Sequence, residues 1–228
     1  MHYSITIHNE TLPILIRKRR GAHRIVVRYR PLQHAISLTL PPYVGIRQGL
    51  HFAHEKRDWI ERQIAAKPEH IPFSDGQIIP LLGKHYTLCH KGGRGVVSID
   101  GDRILVPGDV QFMARRLREW LKARARAEIM ALAQIKAQRV GRRIKKISLR
   151  DTSSRWGSCS HNGNLSFSWR LAFAPWEVLD YLVSHEVAHL KEHNHSEAFW
   201  ALVAELCPHY EQAGRWLKAH GAGLYAYG

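Results

Sequence analysis

The chain has 228 residues, of which 45% are hydrophobic and 23% charged, so it is long and apolar enough to bury a core of its own. Its 34 Lys and Arg outnumber 19 Asp and Glu, and the resulting net charge of +15 favours polyanionic partners. Three scattered cysteines argue against a disulfide framework, and the absence of a signal peptide or of an apolar run of ~18 residues favours a cytoplasmic protein over a membrane protein.

The first part of the sequence is rich in strand patterns. Residues 24–30 and 35–40 alternate apolar with polar side chains, and Pro41 and Pro42 end the second run. A helix is predicted at about residues 46–66. Short strands are predicted at residues 78–82, 86–88, 96–99 and 103–106. We find no internal sequence repeat, and we predict a β-rich N-terminal region with one helix over residues 1–107.

A long basic helix is predicted at about residues 109–140. Residues 111–150 carry thirteen Lys and Arg and only two acids, Glu119 and Glu128. Such a run is typical of a solvated helix face, and it is also the candidate surface of this chain for nucleic acid.

A strand and a hairpin are predicted next. The strand is expected near residues 145–149, and the hairpin joins residues 155–160 to residues 165–169 through a turn at His161–Gly163. An extended peptide substrate could pair with such a hairpin as an additional strand.

The segment SHEVAHLKEHNHSEAFW holds the residues that point to chemistry. It follows the predicted start of a helix, and His185 and His189 lie one turn apart on one face of that helix. Two imidazoles at this spacing can bind one zinc ion, and Glu186 stands where HExxH zinc proteases place the general base. The segment therefore predicts a catalytic zinc site.

A third ligand is needed, and the geometry of a helix limits the choice. If the helix continued, His193 would lie ~12 Å along the axis from His185, too far to share its ion. His195 has the spacing of the third ligand in HExxHxxxxxH, provided that the helix ends near residues 192–194 and Asn194 takes a left-handed turn. We prefer His195, and a carboxylate from Glu205 or Glu211 is the alternative.

Several motifs in this order resemble the YgjP-like metallopeptidase family, which is similar to SprT-like and WLM zincins. The motifs are RWGSCS (155–160), NLSFSWR (164–170), DYLVSHEVAHL (180–190), HSEAFW (195–200) and RWL (215–217). The resemblance implies an α+β zincin-like domain, here residues 108–228, with an HExxH helix and an antiparallel or mixed sheet. It also implies zinc bound by His185, His189 and His195, with Glu186 as the base.

The expected function is hydrolysis of peptide bonds in a protein or peptide substrate. Glu186 would accept a proton from a zinc-activated water and return it to the leaving amine. Arg155 and Tyr210 are candidate substrate contacts, and His161 is a further candidate for stabilising the oxyanion.

Three other functions are weighed against the peptidase. The first is a basic nucleic-acid-binding protein with a structural zinc, and the second is a DNA-associated protease of SprT-like type. The third, a degenerate zincin acting as an interaction module, is disfavoured because its HExxH motif is intact.

Overall fold

The computed structural model describes residues 3–7, 10–30, 33–65, 69–152 and 155–228. The chain forms two compact units, Met1–Pro68 and Glu69–Gly228. Both mix sheets with helices, so the predicted α+β class is confirmed. The strands of the described residues are β1 Tyr3–Ile7, β2 Glu10–Lys18, β3 Val26–Arg30, β4 Ala35–Leu40, β5 Ile78–Leu81, β6 Lys84–Lys91, β7 Ser98–Asp100, β8 Arg103–Pro107, β9 Lys146–Arg150, β10 Gly157–Cys159 and β11 Asn164–Ser168. Their α-helices are α1 Ile46–Glu55, α2 Arg57–Ala65, α3 Met113–Arg139, α4 Trp176–Ala188, α5 Glu197–Leu206 and α6 Tyr210–His220.

The first unit is a four-stranded sheet with two helices. Its strand order is β1-β2-β4-β3, with β2 and β4 parallel and both outer pairs antiparallel. Leu12 and Ile14 of β2 point into the core beside Ile36 and Leu38 of β4. Pro13 lies between them but precedes the parallel pairing, which begins at Ile14, so its missing N–H affects only the pairing with β1.

The secondary structure of this unit differs from the prediction in two places. Strands β1 and β2 were not predicted. The single helix predicted at residues 46–66 is instead two helices that meet at Lys56, whose backbone N–H caps α1. Residue 66 itself lies outside the described residues.

The second unit begins with a sheet of the same connectivity as the first. Its strand order is β5-β6-β8-β7, again with two outer hairpins and a parallel pair, β6 and β8, in the middle. The two sheets thus repeat one topology, although the sequence shows no repeat. The buried residues of this sheet include Ile79, Leu88 and Ile104, which share a core with α3 and α4. A boundary at residue 107 therefore falls inside one compact unit, because the sheet that precedes it packs on the helices that follow.

Helix α3 is the long basic helix predicted from the sequence. Its buried side chains recur at every fourth position, which gives a steep apolar stripe along 27 residues. The stripe consists of Met113, Leu117, Leu121, Ala125, Ile129, Ala133 and Ala137. Asp109 precedes the helix and accepts a hydrogen bond from the Gln111 N–H.

The remainder of the unit carries the histidine segment. Strands β10, β11 and β9 form a third sheet in that order, with an antiparallel hairpin β10–β11 and a parallel pair β11–β9. Leu165 and Phe167 of β11 are buried, as their alternation predicts. Helix α4 packs against α3, α5 and α6, so it is the central helix of this unit. No helix of the described residues is long and apolar enough to cross a membrane.

Candidate metal centre

Helix α4 brings the first two histidines of the segment into position. It starts after Pro175, has Glu177 in its first turn, and ends at Ala188, with His189 as its C-cap. The end is earlier than the predicted one near residues 192–194. Directly after the helix, the Leu190 N–H donates a hydrogen bond to the Val187 carbonyl and closes a tight turn.

The return of the chain places the third histidine. Asn194 was predicted to take a left-handed turn, but its φ is not positive. Among the described residues other than glycine, only His34 and Leu82 have a positive φ. Ser196 then caps α5, and its hydroxyl accepts a hydrogen bond from the Phe199 N–H.

The three histidines converge on one point. One donor atom from each of His185, His189 and His195 lies within 4.8 Å of the others. The His185 and His195 Nε2 atoms are 3.1 Å apart. Two nitrogens bound to one tetrahedral zinc lie about 3.4 Å apart, so this spacing fits a pair of ligands facing one ion. Glu205 and Glu211, the alternative third ligands, do not belong to this group of described residues.

The hydrogen bond of His189 orients its ring toward the same point. The His189 Nδ1 lies 3.0 Å from the Glu192 carbonyl oxygen. A carbonyl only accepts, so Nδ1 carries the hydrogen and Nε2 keeps the lone pair that can bind a metal.

Aromatic side chains of α5 hold the three imidazoles. Phe199 is fully buried and stacks on His189, with ring centroids 4.5 Å apart, and it meets His185 and His195 edge-on. Trp200 lies 5.8 Å from both of these rings. One fully buried ring therefore contacts all three histidines.

Burial keeps the imidazoles of His185 and His189 neutral. Burial, and then the neighbouring His189 and His195, lower the pKa of His185 from 6.5 to about 4. Burial also lowers the pKa of His189, while its hydrogen bond to Glu192 opposes the shift. Both are therefore uncharged near pH 7, which is the form that binds a metal.

Glu186 follows the first histidine and is almost completely buried, with 4% of its surface exposed. It packs against Gly157 of β10 so closely that a Cβ there would lie 2.7 Å from the Glu186 Cγ. Burial raises the pKa of its carboxyl from 4.5 to about 8, and the charge of Arg155 opposes this shift. Such a carboxyl can hold or release a proton near neutral pH.

A family model for the YgjP-like metallopeptidase domain matches residues 24–220. The chain belongs to the YgjP-like metallopeptidase family. The resemblance predicted from the sequence motifs is thereby confirmed, and a metallopeptidase domain implies a metal ion and a protein or peptide substrate.

Comparison with solved structures finds a likeness of limited extent. The metallopeptidase zymogen abylysin of Pyrococcus abyssi is 20% identical, with a TM-score of 0.37 over 40% of this chain and 93% of that one. No curated protein matches the chain.

The three-histidine cluster of this YgjP-like domain opens into a cavity of about 490 Å³. Besides the three histidines and Glu186, the cavity is lined by Arg155, Gly157, Ser158, Cys159, His161 and His193. The rings of His161 and His193 lie 4.6 Å apart on its rim. Arg155 and His161, both candidates from the sequence, are therefore brought to the cavity.

Tyr210 is not among the lining residues of this cavity. Its ring stacks on Trp200 at 5.8 Å, and its hydroxyl donates a hydrogen bond to Glu211. Its role as a substrate contact stays a prediction.

The contact between Gly157 and Glu186 could not be predicted from the sequence. A glycine in the RWGSCS motif was the available signal, but its meaning depends on a helix that is distant in sequence. Asp180 is buried and forms an ion pair with Lys136 of α3.

Proposed function

We propose that this chain is a zinc-dependent peptidase in which His185, His189 and His195 hold the metal and Glu186 is the general base. The observation that carries the proposal is the convergence of three imidazole donors beside one buried carboxyl. Zinc in such a ligand set would supply an acidified water and polarise the scissile carbonyl.

The proton transfers fall to Glu186. Its carboxylate accepts a proton as the water oxygen bonds to the carbonyl carbon. It then delivers this proton to the amide nitrogen as the C–N bond breaks, so the products are a carboxylic acid and an amine. A carboxyl whose pKa is raised toward neutrality by burial can serve in both directions.

The edge of β10 offers a place for the substrate backbone. The Ser160 N–H bonds to the Asn164 carbonyl, and the Ser168 N–H to the Trp156 carbonyl. By the alternation of antiparallel pairs, Ser158 faces β11, whereas Gly157 and Cys159 turn their N–H and C=O groups to the open edge. An extended peptide can pair there, next to Glu186. Arg155 lines the same cavity and is our candidate contact for the substrate carbonyl.

Metal content and peptide hydrolysis, measured on the same variants, test the proposal. We expect Glu186→Gln to keep zinc and lose hydrolysis, whereas His195→Ala loses zinc affinity and activity together. His193→Ala is the matched control, because it removes a histidine of the same cavity and should retain zinc. Full zinc affinity in His195→Ala would show that the third ligand is wrong.

A second candidate function is polyanion binding, which a groove of the second unit favours. The groove, of about 610 Å³, lies between α3 and the start of β9. It contains five cations and no acid among its lining residues, namely Arg126, Arg142, Arg143, Lys145 and Lys146. The Lys145 N–H bonds to the Gly163 carbonyl, in the turn that carries His161 at the rim of the catalytic cavity. Nucleic acid bound in this groove would therefore lie near the active site.

A further inference from the structure

We propose a second metal site, for a divalent ion of the zinc type, formed by Asp180, Cys207 and His209. Their donor atoms, a carboxylate oxygen, a sulfur and an imidazole nitrogen, lie within 4.8 Å of one another. These are the three ligand types that zinc takes in proteins. The site shares no residue with the three-histidine centre and does not depend on the proposed reaction.

The distance between Asp180 and His209 is that of two ligands. The Asp180 Oδ2 lies 3.5 Å from the His209 Nε2, and this nitrogen is buried without a hydrogen-bond partner among the described residues. The two groups are within ion-pair distance, yet no hydrogen bond joins them. Donor atoms on one tetrahedral zinc lie about 3.4 Å apart. The unsatisfied nitrogen and the carboxylate thus fit a shared ion better than a hydrogen bond.

Three helices meet at this site. Asp180 lies in the middle of α4, Cys207 is the C-cap of α5, and His209 is the N-cap of α6. The Tyr210 N–H bonds to the Cys207 carbonyl, which fixes the turn between the two loop ligands. An ion bound here would tie the ends of α5 and α6 to the catalytic helix.

The thiol would lose its proton when it binds the ion. Cys207 is fully buried, and burial, reinforced by the Asp180 carboxylate, raises the pKa of its thiol to about 12. It is therefore protonated in the metal-free protein, and binding of a divalent cation would release that proton to solvent. The thiolate then adds a negative charge to a site in which the Asp180 carboxylate also pairs with Lys136.

Lys136 already pairs with Asp180, but through the other oxygen of the carboxylate. Its Nζ lies 2.8 Å from the Asp180 Oδ1, whereas Oδ2 is the oxygen that faces His209. The ammonium also donates a hydrogen bond of 2.7 Å to the Leu206 carbonyl at the C-terminus of α5. The helix dipole places negative partial charge there, which offsets part of the lysine charge.

Zinc content of the full chain, stripped with a chelator and reloaded with zinc, tests this site. We expect two zinc ions per wild-type chain and one in the double variant His185→Ala/His189→Ala. Cys207→Ser and His209→Gln should each lose one, and Cys89→Ser, the control thiol, should keep both. A wild-type chain with a single zinc that Cys207→Ser retains would overturn the proposal.

Cobalt gives a second measurement, which depends neither on enzymatic activity nor on the number of zinc ions per chain. Loaded with Co²⁺, the His185→Ala/His189→Ala variant should show the thiolate-to-cobalt charge-transfer absorption, which an all-histidine site cannot produce. When Cys207→Ser is introduced into this double variant, the band should disappear. When Cys159→Ser is introduced instead, the band should remain. If the His185→Ala/His189→Ala variant itself shows no such band, the second site is overturned, and the three-histidine site is not affected by this result. If the wild-type chain binds only one zinc, and this zinc survives loss of the histidines but not of Cys207, the ligand set of the proposed function is overturned instead.

Discussion

Gly157 and Glu186 are packed so tightly that the glycine cannot carry a side chain without moving the carboxyl. A Cβ built on Gly157 would lie 2.7 Å from the Glu186 Cγ, closer than real Cβ contacts come. We expect Gly157→Ala to displace the base, lowering peptide hydrolysis by about 10²-fold while zinc content stays unchanged, because a shift of about 1 Å in a catalytic group has an effect of that order.

Gly223→Ala is the control for this prediction. A Cβ at Gly223 has nothing within 4 Å, so this variant should keep wild-type activity. Hydrolysis and zinc content are measured on both variants. Wild-type activity in Gly157→Ala would show that the Glu186 carboxyl tolerates the displacement or is not the base.

Glu186 should contribute a stability to the metal-free protein that falls as pH rises. The lowered pKa values of His185 and His189 act in the opposite direction, so the Glu186 contribution is read from the difference between wild type and Glu186→Gln. Its pKa is about 8 in the folded protein and 4.5 in its ordinary state, so the folded chain holds a proton that the unfolded chain releases. The stabilisation is complete below pH 4.5 and is lost as pH rises through about 8. Glu186→Gln removes this dependence, so the variant should gain stability relative to wild type between pH 5 and 8.

Urea unfolding in the presence of a chelator, at a series of pH values, measures the difference between the two proteins. Glu205→Gln, which changes an exposed glutamate, should follow the wild-type curve. Parallel pH curves for wild type and Glu186→Gln would contradict a raised pKa at Glu186.

The parts of the site that follow from local periodicity could be predicted from the sequence. His185 and His189 share a helix face because they are four residues apart, and the distance along a helix removed His193 from the set. The structure brings His195 to them, but through a helix that ends at Ala188 rather than through a left-handed Asn194. Binding of zinc by the three histidines stays a prediction.

Contacts between distant segments could not be predicted in this way. Gly157 meets Glu186, and Lys136 meets Asp180, only because β10 and α3 pack on α4, and no spacing in the sequence encodes that packing. The common topology of the two four-stranded sheets was hidden for a related reason. Hairpin and parallel connections tolerate many sequences that keep the alternation of apolar residues.

The ion pair between Lys136 and Asp180 should be important for stability. Both side chains are almost fully buried, and they lie 2.8 Å apart. We expect Lys136→Met to lower the free energy of unfolding by about 3–5 kcal/mol, because it leaves a buried carboxylate without its partner. Lys122→Met, which breaks the exposed pair with Glu119, should change it far less, because solvent screens that pair. Equal effects of the two variants in urea unfolding would show that burial adds nothing to the first pair.

Nucleic acid should bind the basic groove with a strong dependence on salt. Arg142 and Arg143 line the groove, and no carboxylate is among its lining residues. If each arginine neutralises one phosphate, Arg142→Gln/Arg143→Gln should reduce the slope of log K against log salt by about 1.8 on duplex DNA. The matched double variant Lys84→Gln/Arg103→Gln removes the same charge from exposed positions of the same unit. Fluorescence anisotropy with a labelled duplex at several salt concentrations measures both. If the slope of log K against log salt falls equally in the two double variants, net charge rather than the groove attracts the DNA.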